Sequence, residues 1–317
     1  MDGAIIDGAI IEVRRFTLHD GPGIRSTLFL KGCPLRCAWC QNPEGLDAAP
    51  GLWYFEKQCI RCGLCQASCP VGAISLHPDA DPFVRIDRDL CTRCGDCVAA
   101  CPTTALSFDG SRLSARAAAE ALLRDVEFYR QSGGGITISG GDPLVQHEFA
   151  REVLGLCRRA GVHTALETSL FGDWDVVEGF VPLTDLFIVD LKIADSALHA
   201  QYTGRPNELI FSNYARLARA GRQILTRVPL VPGITATVNN VGALARIIRA
   251  ANPGGRVELI NFNPLAVNKY SLMNRGTEFF RGMAPLPEDE VESLRRNLEA
   301  EGLEVVREHR RSDGAGG

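Results

Sequence analysis

The chain has 317 residues, 45% of them hydrophobic and 23% charged, with a formal net charge of -4. That balance suits a soluble chain long enough for one large barrel or two to three ordinary domains, and it leaves no basic footprint for nucleic acid and no apolar run of the ~18–20 residues that a membrane span needs. The opening residues, MDGAIIDGAIIEVRRF, lack a basic segment followed by a long apolar one, so no secretory signal is expected and the expected location is cytoplasmic.

The first clear element is a strand, STLFLKG, residues 26–32. Directly after it stand Cys33, Cys37 and Cys40, spaced C-x3-C-x2-C. Residues 52–108 hold an internal repeat, in which CIRCGLCQASCPVGAISL recurs as CTRCGDCVAACPTTALSF. A helix is expected over 113–133 from apolar residues spaced three and four apart, then the β-branched strand GITIS, residues 135–139. The helix 145–161, the strand 162–168, a helical stretch near 173–180 and the strand 186–192 follow. The series closes with helix 206–221, strand 223–231, helix 238–251, strand 256–262, helix 287–302 and strand 303–309. Strand and helix in alternation imply right-handed crossovers and a parallel sheet. About six or seven such units are present, short of the eight of a closed barrel. A doubly wound open sheet satisfies the same periodicity.

Cysteine usage is the sharpest compositional signal. Eleven of the twelve fall between Cys33 and Cys101, and only Cys157 lies beyond. Such clustering reads as iron–sulfur or metal ligation rather than a disulfide scaffold. Each repeat is a C-x2-C-x2-C-x3-C-P run, the bacterial pattern for two [4Fe-4S] clusters, in which the fourth cysteine of each run serves the other cluster. Cys59, Cys62, Cys65 and Cys101 are therefore expected at one cluster, and Cys91, Cys94, Cys97 and Cys69 at the second. A pair of structural zinc sites is the alternative for these eight thiols. Fully ligated clusters carry electrons and do no bond chemistry.

Cys33, Cys37 and Cys40 fill only three corners of a cubane. The one spare thiol, Cys157, sits in a helical pattern beside Leu154 and Leu156, where free cysteine is an ordinary small core residue. A zinc site completed from outside is another reading. The favoured expectation is an open iron, comparable to the open position of a catalytic metal site.

With Trp39, the spacing C-x3-C-x-aromatic-C resembles the signature of the radical S-adenosylmethionine (SAM) superfamily. The longer stretch FTLHDGPGIRSTLFLKGCPLRCAWCQNPE, residues 16–44, resembles the N-terminal signature of glycyl-radical-enzyme activating enzymes. The double-cluster insert is similar to that of the larger members, and the resemblance spans nearly the whole chain. It implies a partial (β/α)6-type TIM barrel with an inserted bacterial ferredoxin-like domain. Residues 1–51 would form the N-terminal part of the barrel, 52–108 the insert, 109–311 the remainder and 312–317 a disordered tail.

The same resemblance implies three [4Fe-4S] clusters and SAM as cofactors. SAM would chelate the open iron and be cleaved to methionine and a 5′-deoxyadenosyl radical, which takes a Cα hydrogen from a glycine of a partner glycyl radical enzyme. A flavodoxin or ferredoxin-type reductant and a monomeric chain are implied, and no side-chain acid or base. Around SAM it implies Trp39, Cys40 and Gln41 near the adenine, and Gly140, Gly141 and Asp142 of SGGDP at the amine, where relatives usually carry Glu. It implies Asp190, Leu191 and Lys192 beside SAM and the peptide, Arg227 at the carboxylate, and Asn263 where many relatives carry a histidine. Glu167 and Thr168 are weaker candidates for the ribose. A radical SAM enzyme acting on a small molecule or another peptide is a rival reading, against which DGPGIR argues. An iron–sulfur electron carrier is a second rival, which leaves Cys33, Cys37 and Cys40 unexplained.

Overall fold

The computed structural model describes residues 6–273 and 275–306, so the expected tail 312–317 lies outside the described residues. The strands are β1 (Asp7–Thr17), β2 (Arg25–Leu30), β3 (Leu52–Tyr54), β4 (Ile74–Leu76), β5 (Val84–Ile86), β6 (Leu106–Phe108), β7 (Ser111–Ser114), β8 (Gly135–Gly140), β9 (Thr164–Thr168), β10 (Leu186–Asp190), β11 (Gln223–Leu230), β12 (Arg256–Asn261) and β13 (Glu304–Val306). The helices are α1 (Leu64–Ala67), α2 (Asp96–Ala99), α3 (Ala115–Leu122), α4 (Val126–Ser132), α5 (His147–Arg159), α6 (Trp174–Glu178), α7 (Ser196–Thr203), α8 (Glu208–Arg219), α9 (Val238–Ala251), α10 (Val267–Leu272) and α11 (Glu288–Ala300).

Nine strands make one sheet in the order β13-β12-β11-β10-β9-β8-β2-β1-β7. From β2 to β13 every neighbouring pair is parallel. A doubly wound sheet reverses its strand order at a switch point. Among the parallel strands, β2 and β8 to β13, the order never reverses, so that part of the chain winds one way, as a barrel does, and stops before closing.

Side-chain alternation separates two environments. In β10, Phe187 and Val189 join the large apolar core under the helices, whereas Leu186 and Ile188 pack inside the barrel and Asp190 reaches its cavity. The inner face is otherwise strongly polar: Thr27, Thr137, Ser139, Glu167, Arg227 and Glu258 hydrogen-bond one another or the DGPGIR loop. That loop folds inward. Thr27 donates to the Asp20 carboxylate at 2.6 Å, and fully buried Arg25 donates to Thr137 at 2.7 Å and to the carbonyls of Pro22 and Ile136. Burial lowers the Arg25 guanidinium to about 10.

Three departures from the sequence reading have physical causes. No strand is expected over residues 7–17, yet β1 pairs antiparallel with β2; its register shifts between Ile10 and Glu12 and between Arg14 and Thr17. Such bulges break the alternation that announces a strand. The helix expected over 113–133 is cut in two. Buried Asp125, at the break, accepts from Arg15 at 2.8 Å and from the Ser26 hydroxyl at 2.9 Å, which ties the turn to β1 and β2. Finally, α7 and α10 are short and were not anticipated; both hold the cysteine loop, as described below.

The insert is closed by the ladder β3–β6 and contains a second ladder, β4–β5. It has its own core, including Leu52, Tyr54, Ile74, Phe83, Val84 and Leu106. Fully buried Lys31 anchors it: the ammonium pairs with Asp109 at 2.8 Å and donates to the Glu44 carbonyl, and Asp109 also accepts from the Gly51 amide at 2.7 Å. Both stems of the insert thus meet at the Lys31–Asp109 pair beside the end of β2.

Candidate active site

A cavity of about 330 Å³ opens at the C-terminal ends of the barrel strands. Its wall contains Cys33, Cys37, Trp39, Cys40, Gln41, Gly140, Gly141, Asp142, Asp190, Lys192 and Arg227, together with Asp20, Glu167 and Thr168. Burial pushes all three thiols up, Cys40 to about 12, while Lys192 works the other way on Cys37. Thiolates here therefore need a bound cation, and three clustered sulfurs are a donor set suited to cluster iron. Burial also acts to lower the Lys192 ammonium, but Asp190, at 2.8 Å, and the nearby thiols outweigh it and hold the group raised.

Several of these groups also have partners within the chain. The paired glycines, expected to let backbone approach a ligand, line the cavity, and their bare Cα atoms also let other backbone close in. A Cβ on Gly140, whose φ is +116°, would stand 2.2 Å from the Leu30 amide nitrogen, and one on Gly141 would stand 2.2 Å from the Gly32 carbonyl oxygen. The glycines thus seat the end of β8 against the start of the cysteine loop. The Asp142 carboxylate, expected at the SAM amine, is consumed within the chain. It accepts from the Leu144 amide at 3.1 Å, Thr168 hydroxyl at 2.9 Å, Ser169 amide at 2.9 Å and Ser169 hydroxyl at 2.6 Å. Burial raises its pKa against these donors. The shorter side chain turns toward the end of β9 and knots β8 to it.

Arg227, expected at a SAM carboxylate, already holds two. It pairs with Glu167 at 2.6 Å and Glu258 at 2.7 Å, and donates to the His19 carbonyl. Ser139 donates to the second Glu167 oxygen at 2.6 Å. Leu191 is fully buried in the layer under the helices and does not line the cavity. Asn263 also lies off the cavity lining; its side-chain oxygen accepts from the Leu265 amide, and its carbonyl accepts from Gln41 at 3.1 Å. Cys157 is fully buried in the same apolar layer as Leu191.

The sequence reading missed the groups that hold the cysteine loop. Lys269, on α10, donates to the Gln41 carbonyl at 3.1 Å, the Asn42 side chain at 2.8 Å and the Glu44 carboxylate at 2.6 Å. Its neighbour Tyr270 donates to the Cys40 carbonyl at 3.2 Å. From the other side, the carbonyls of Tyr202 and Thr203 in α7 accept from Ala38 and Arg36. Trp39 packs between these straps, with Phe262, Phe280 and Ile193. Arg88 of the insert donates to the Met273 carbonyl at 2.9 Å, just past α10, and so links module and strap. Buried Glu44 needs a cation, which Lys269 supplies.

In the insert, one small cavity is lined by Cys59, Cys62, Cys65 and Cys101, and another by Cys69, Cys91, Cys94 and Cys97. Cys62 and Cys94 are exposed. Among the described residues no three His, Cys, Asp or Glu side chains converge on a single-ion site, and no helix is long and apolar enough to cross a membrane.

Comparison with known proteins agrees with this architecture. The radical SAM superfamily matches residues 99–238, a 4Fe-4S dicluster domain residues 58–105, and a 4Fe-4S single cluster domain residues 19–63. The chain is 41% identical to the benzylsuccinate synthase activating enzyme of Thauera aromatica, over 94% of this chain and 91% of that one. It is 38% identical to the (2S)-3-sulfopropanediol dehydratase activating enzyme of Klebsiella oxytoca, over 84% and 85%. It is 34% identical to the trans-4-hydroxy-L-proline dehydratase activating enzyme of Clostridioides difficile, over 92% and 96%. A radical SAM methyltransferase from Sphaerobacter thermophilus shares the fold, with a TM-score of 0.53 at 14% identity over 92% of this chain and 67% of that one. A one-way partial barrel, a three-cysteine loop at its mouth, a two-run cysteine insert and this likeness over almost the full length converge: the chain belongs to the glycyl-radical-enzyme activating enzymes of the radical SAM superfamily.

Proposed function

We propose that this chain activates a partner glycyl radical enzyme by removing one hydrogen atom from the Cα of a single glycine. Cys33, Cys37 and Cys40 would hold a [4Fe-4S] cluster, which when reduced would supply the electron that cleaves SAM to methionine and the hydrogen-abstracting 5′-deoxyadenosyl radical. The observation that carries the reading is the cavity wall itself: three thiols share it with the Lys192–Asp190 pair and the Glu167–Arg227 pair at the strand ends.

The chain's own groups divide the remaining work. Trp39 forms an apolar wall suited to a flat adenine. Lys192, held by Asp190, offers a cation to the SAM carboxylate. Glu167, fixed by Arg227 and Ser139, offers acceptor oxygens to the ribose hydroxyls. Asp142 and Arg227 act as positioning residues, because both are already satisfied by protein partners. No general base is assigned, since proton and electron leave the glycine together. Flanking amides stabilise the product radical, which is why glycine serves as the target.

In the module, residues 52–108, we assign one [4Fe-4S] cluster to Cys59, Cys62, Cys65 and Cys101 and another to Cys91, Cys94, Cys97 and Cys69. The linings of the two cavities support these crossed sets. The total is three clusters. Exposed Cys62 and Cys94 suit electron uptake from a flavodoxin or ferredoxin-type reductant. The enzyme is proposed to act as a monomer in the cytoplasm. The test is anaerobic incubation with SAM, reductant and a glycyl radical enzyme. The expected result is a glycine-centred EPR doublet accompanied by 5′-deoxyadenosine. SAM cleavage without a doublet on any glycyl radical enzyme tried would favour the small-molecule reading.

A further inference from the structure

The two cysteine runs of the module are near-copies, yet the cavities they line differ in one buried group. Tyr54 is 3% exposed, and its hydroxyl has no hydrogen-bond partner. It lines the cavity of Cys59, Cys62, Cys65 and Cys101, with Cys59 and Glu56 beside it. Glu56 is already engaged, by the Phe83 amide at 2.9 Å and by Arg61 at 3.4 Å. A buried hydroxyl without a partner is costly, and its retention points to a partner that occupies the cavity. The second cavity has Leu52 and Val71 in its wall, and its one hydroxyl belongs to exposed Thr92.

We propose that Tyr54 tunes the reduction potential of the first module cluster by donating a hydrogen bond to the Cys59 sulfur or to the cluster edge beside it. The proposal rests on the assignment of Cys59, Cys62, Cys65 and Cys101 to one [4Fe-4S] cluster. Reduction transfers one electron from an external low-potential donor onto the cluster, and the phenol keeps its proton. The added charge spreads over the sulfurs, so a donor aimed at them stabilises the reduced form more than the oxidised form and raises the potential. The Thr103 hydroxyl, 3.8 Å from the Cys101 sulfur, adds to the bias, and Cys59 also accepts from the Arg61 amide at 3.4 Å. The second cluster, whose Cys69 accepts from the Ala73 amide at 3.3 Å, has no buried hydroxyl in its wall. Two look-alike clusters therefore differ in potential, and an electron resting in the module sits on the one beside Tyr54.

The experiment is an EPR-monitored redox titration of the anaerobically reconstituted full chain, parent against Tyr54→Phe. At the parent midpoint of the affected cluster, the reduced-to-oxidised ratio should fall about threefold to tenfold in the variant. That equals a drop of ~30–60 mV at 59 mV per decade for one electron. The other two clusters should hold their midpoints, and iron content should not change. Removing an unpartnered hydroxyl leaves the fold intact, so the apo chain should melt no lower than the parent. Unchanged midpoints in Tyr54→Phe, or an equal shift of all three clusters, would overturn the proposal. A parent that reconstitutes only one cluster contradicts the cluster assignment itself, before any variant is made, and the proposal falls with it.

Discussion

In the module, thiols come from two short runs related by a repeat, and the core beneath them, with Leu52, Ile74, Val84 and Leu106, belongs to the module alone. In the barrel, three thiols come from one loop, but the groups around them come from β8, β9, β10, β11 and the strap after β12. The module's Cys62 and Cys94 reach solvent, whereas Cys33, Cys37 and Cys40 are partly covered and Glu44, four residues on, is buried. The difference follows from the task. In the proposed division of labour, a module that passes electrons needs sulfurs and a short path to solvent, which a local repeat supplies. A reactive centre must also fix a cofactor and a foreign backbone, so its parts arrive from across the fold.

The largest effect should come from separating the two regions chemically. Cys37→Ala should abolish formation of 5′-deoxyadenosine while the module keeps its iron. Cys94→Ala should lose module iron and leave SAM binding in place. Product chromatography with iron counts on each variant checks the pair. If Cys94→Ala also destroyed SAM binding, the regions would not be separable as described.

Next comes the strap. Lys269→Met leaves the buried Glu44 carboxylate without its cation, a change expected to cost about 2–4 kcal/mol. Anaerobic chemical unfolding measures it, and SAM affinity should weaken in step because Gln41 and Asn42 are released. Full stability with full affinity would show that the strap is incidental.

Asp142→Ala removes the shared acceptor of Thr168 and Ser169 and should destabilise by about 2–3 kcal/mol. Asp142→Glu keeps the charge but adds a methylene to a packed site, with an expected cost of about 1–3 kcal/mol. If Asp142 instead touched SAM, the Ala variant would lose affinity with no loss of stability. The smallest effect is expected at Cys157→Ala, about 1 kcal/mol from a small core cavity, with iron content and SAM cleavage unchanged. A drop in iron would make Cys157 the fourth ligand.

These contrasts also explain what was legible in the sequence. The module could be read because its chemistry repeats at fixed spacing, Cys59 to Cys69 and Cys91 to Cys101. The strands could be read because, buried on both faces, they are continuous apolar runs such as residues 186–189 set between helical patterns. Lys269, Tyr270 and Arg88 could not, because their partners lie far away in sequence and no local period marks them. For Asp142 the residue and its place at the cavity could be read but not its donors, because the direction of its carboxylate depends on Ser169 from another strand end.

The central claim is that the cavity at Cys33, Cys37 and Cys40 delivers a radical to a glycine Cα of a protein partner. The most direct measurement uses a glycyl radical enzyme made with α-deuterated glycine, incubated anaerobically with this chain, SAM and reductant, with mass analysis of the nucleoside product. The account expects one deuterium in the 5′-deoxyadenosine and a glycyl EPR signal without the α-hydrogen splitting of the doublet. Unlabelled 5′-deoxyadenosine, formed while the partner's glycine keeps its deuterium, would contradict it.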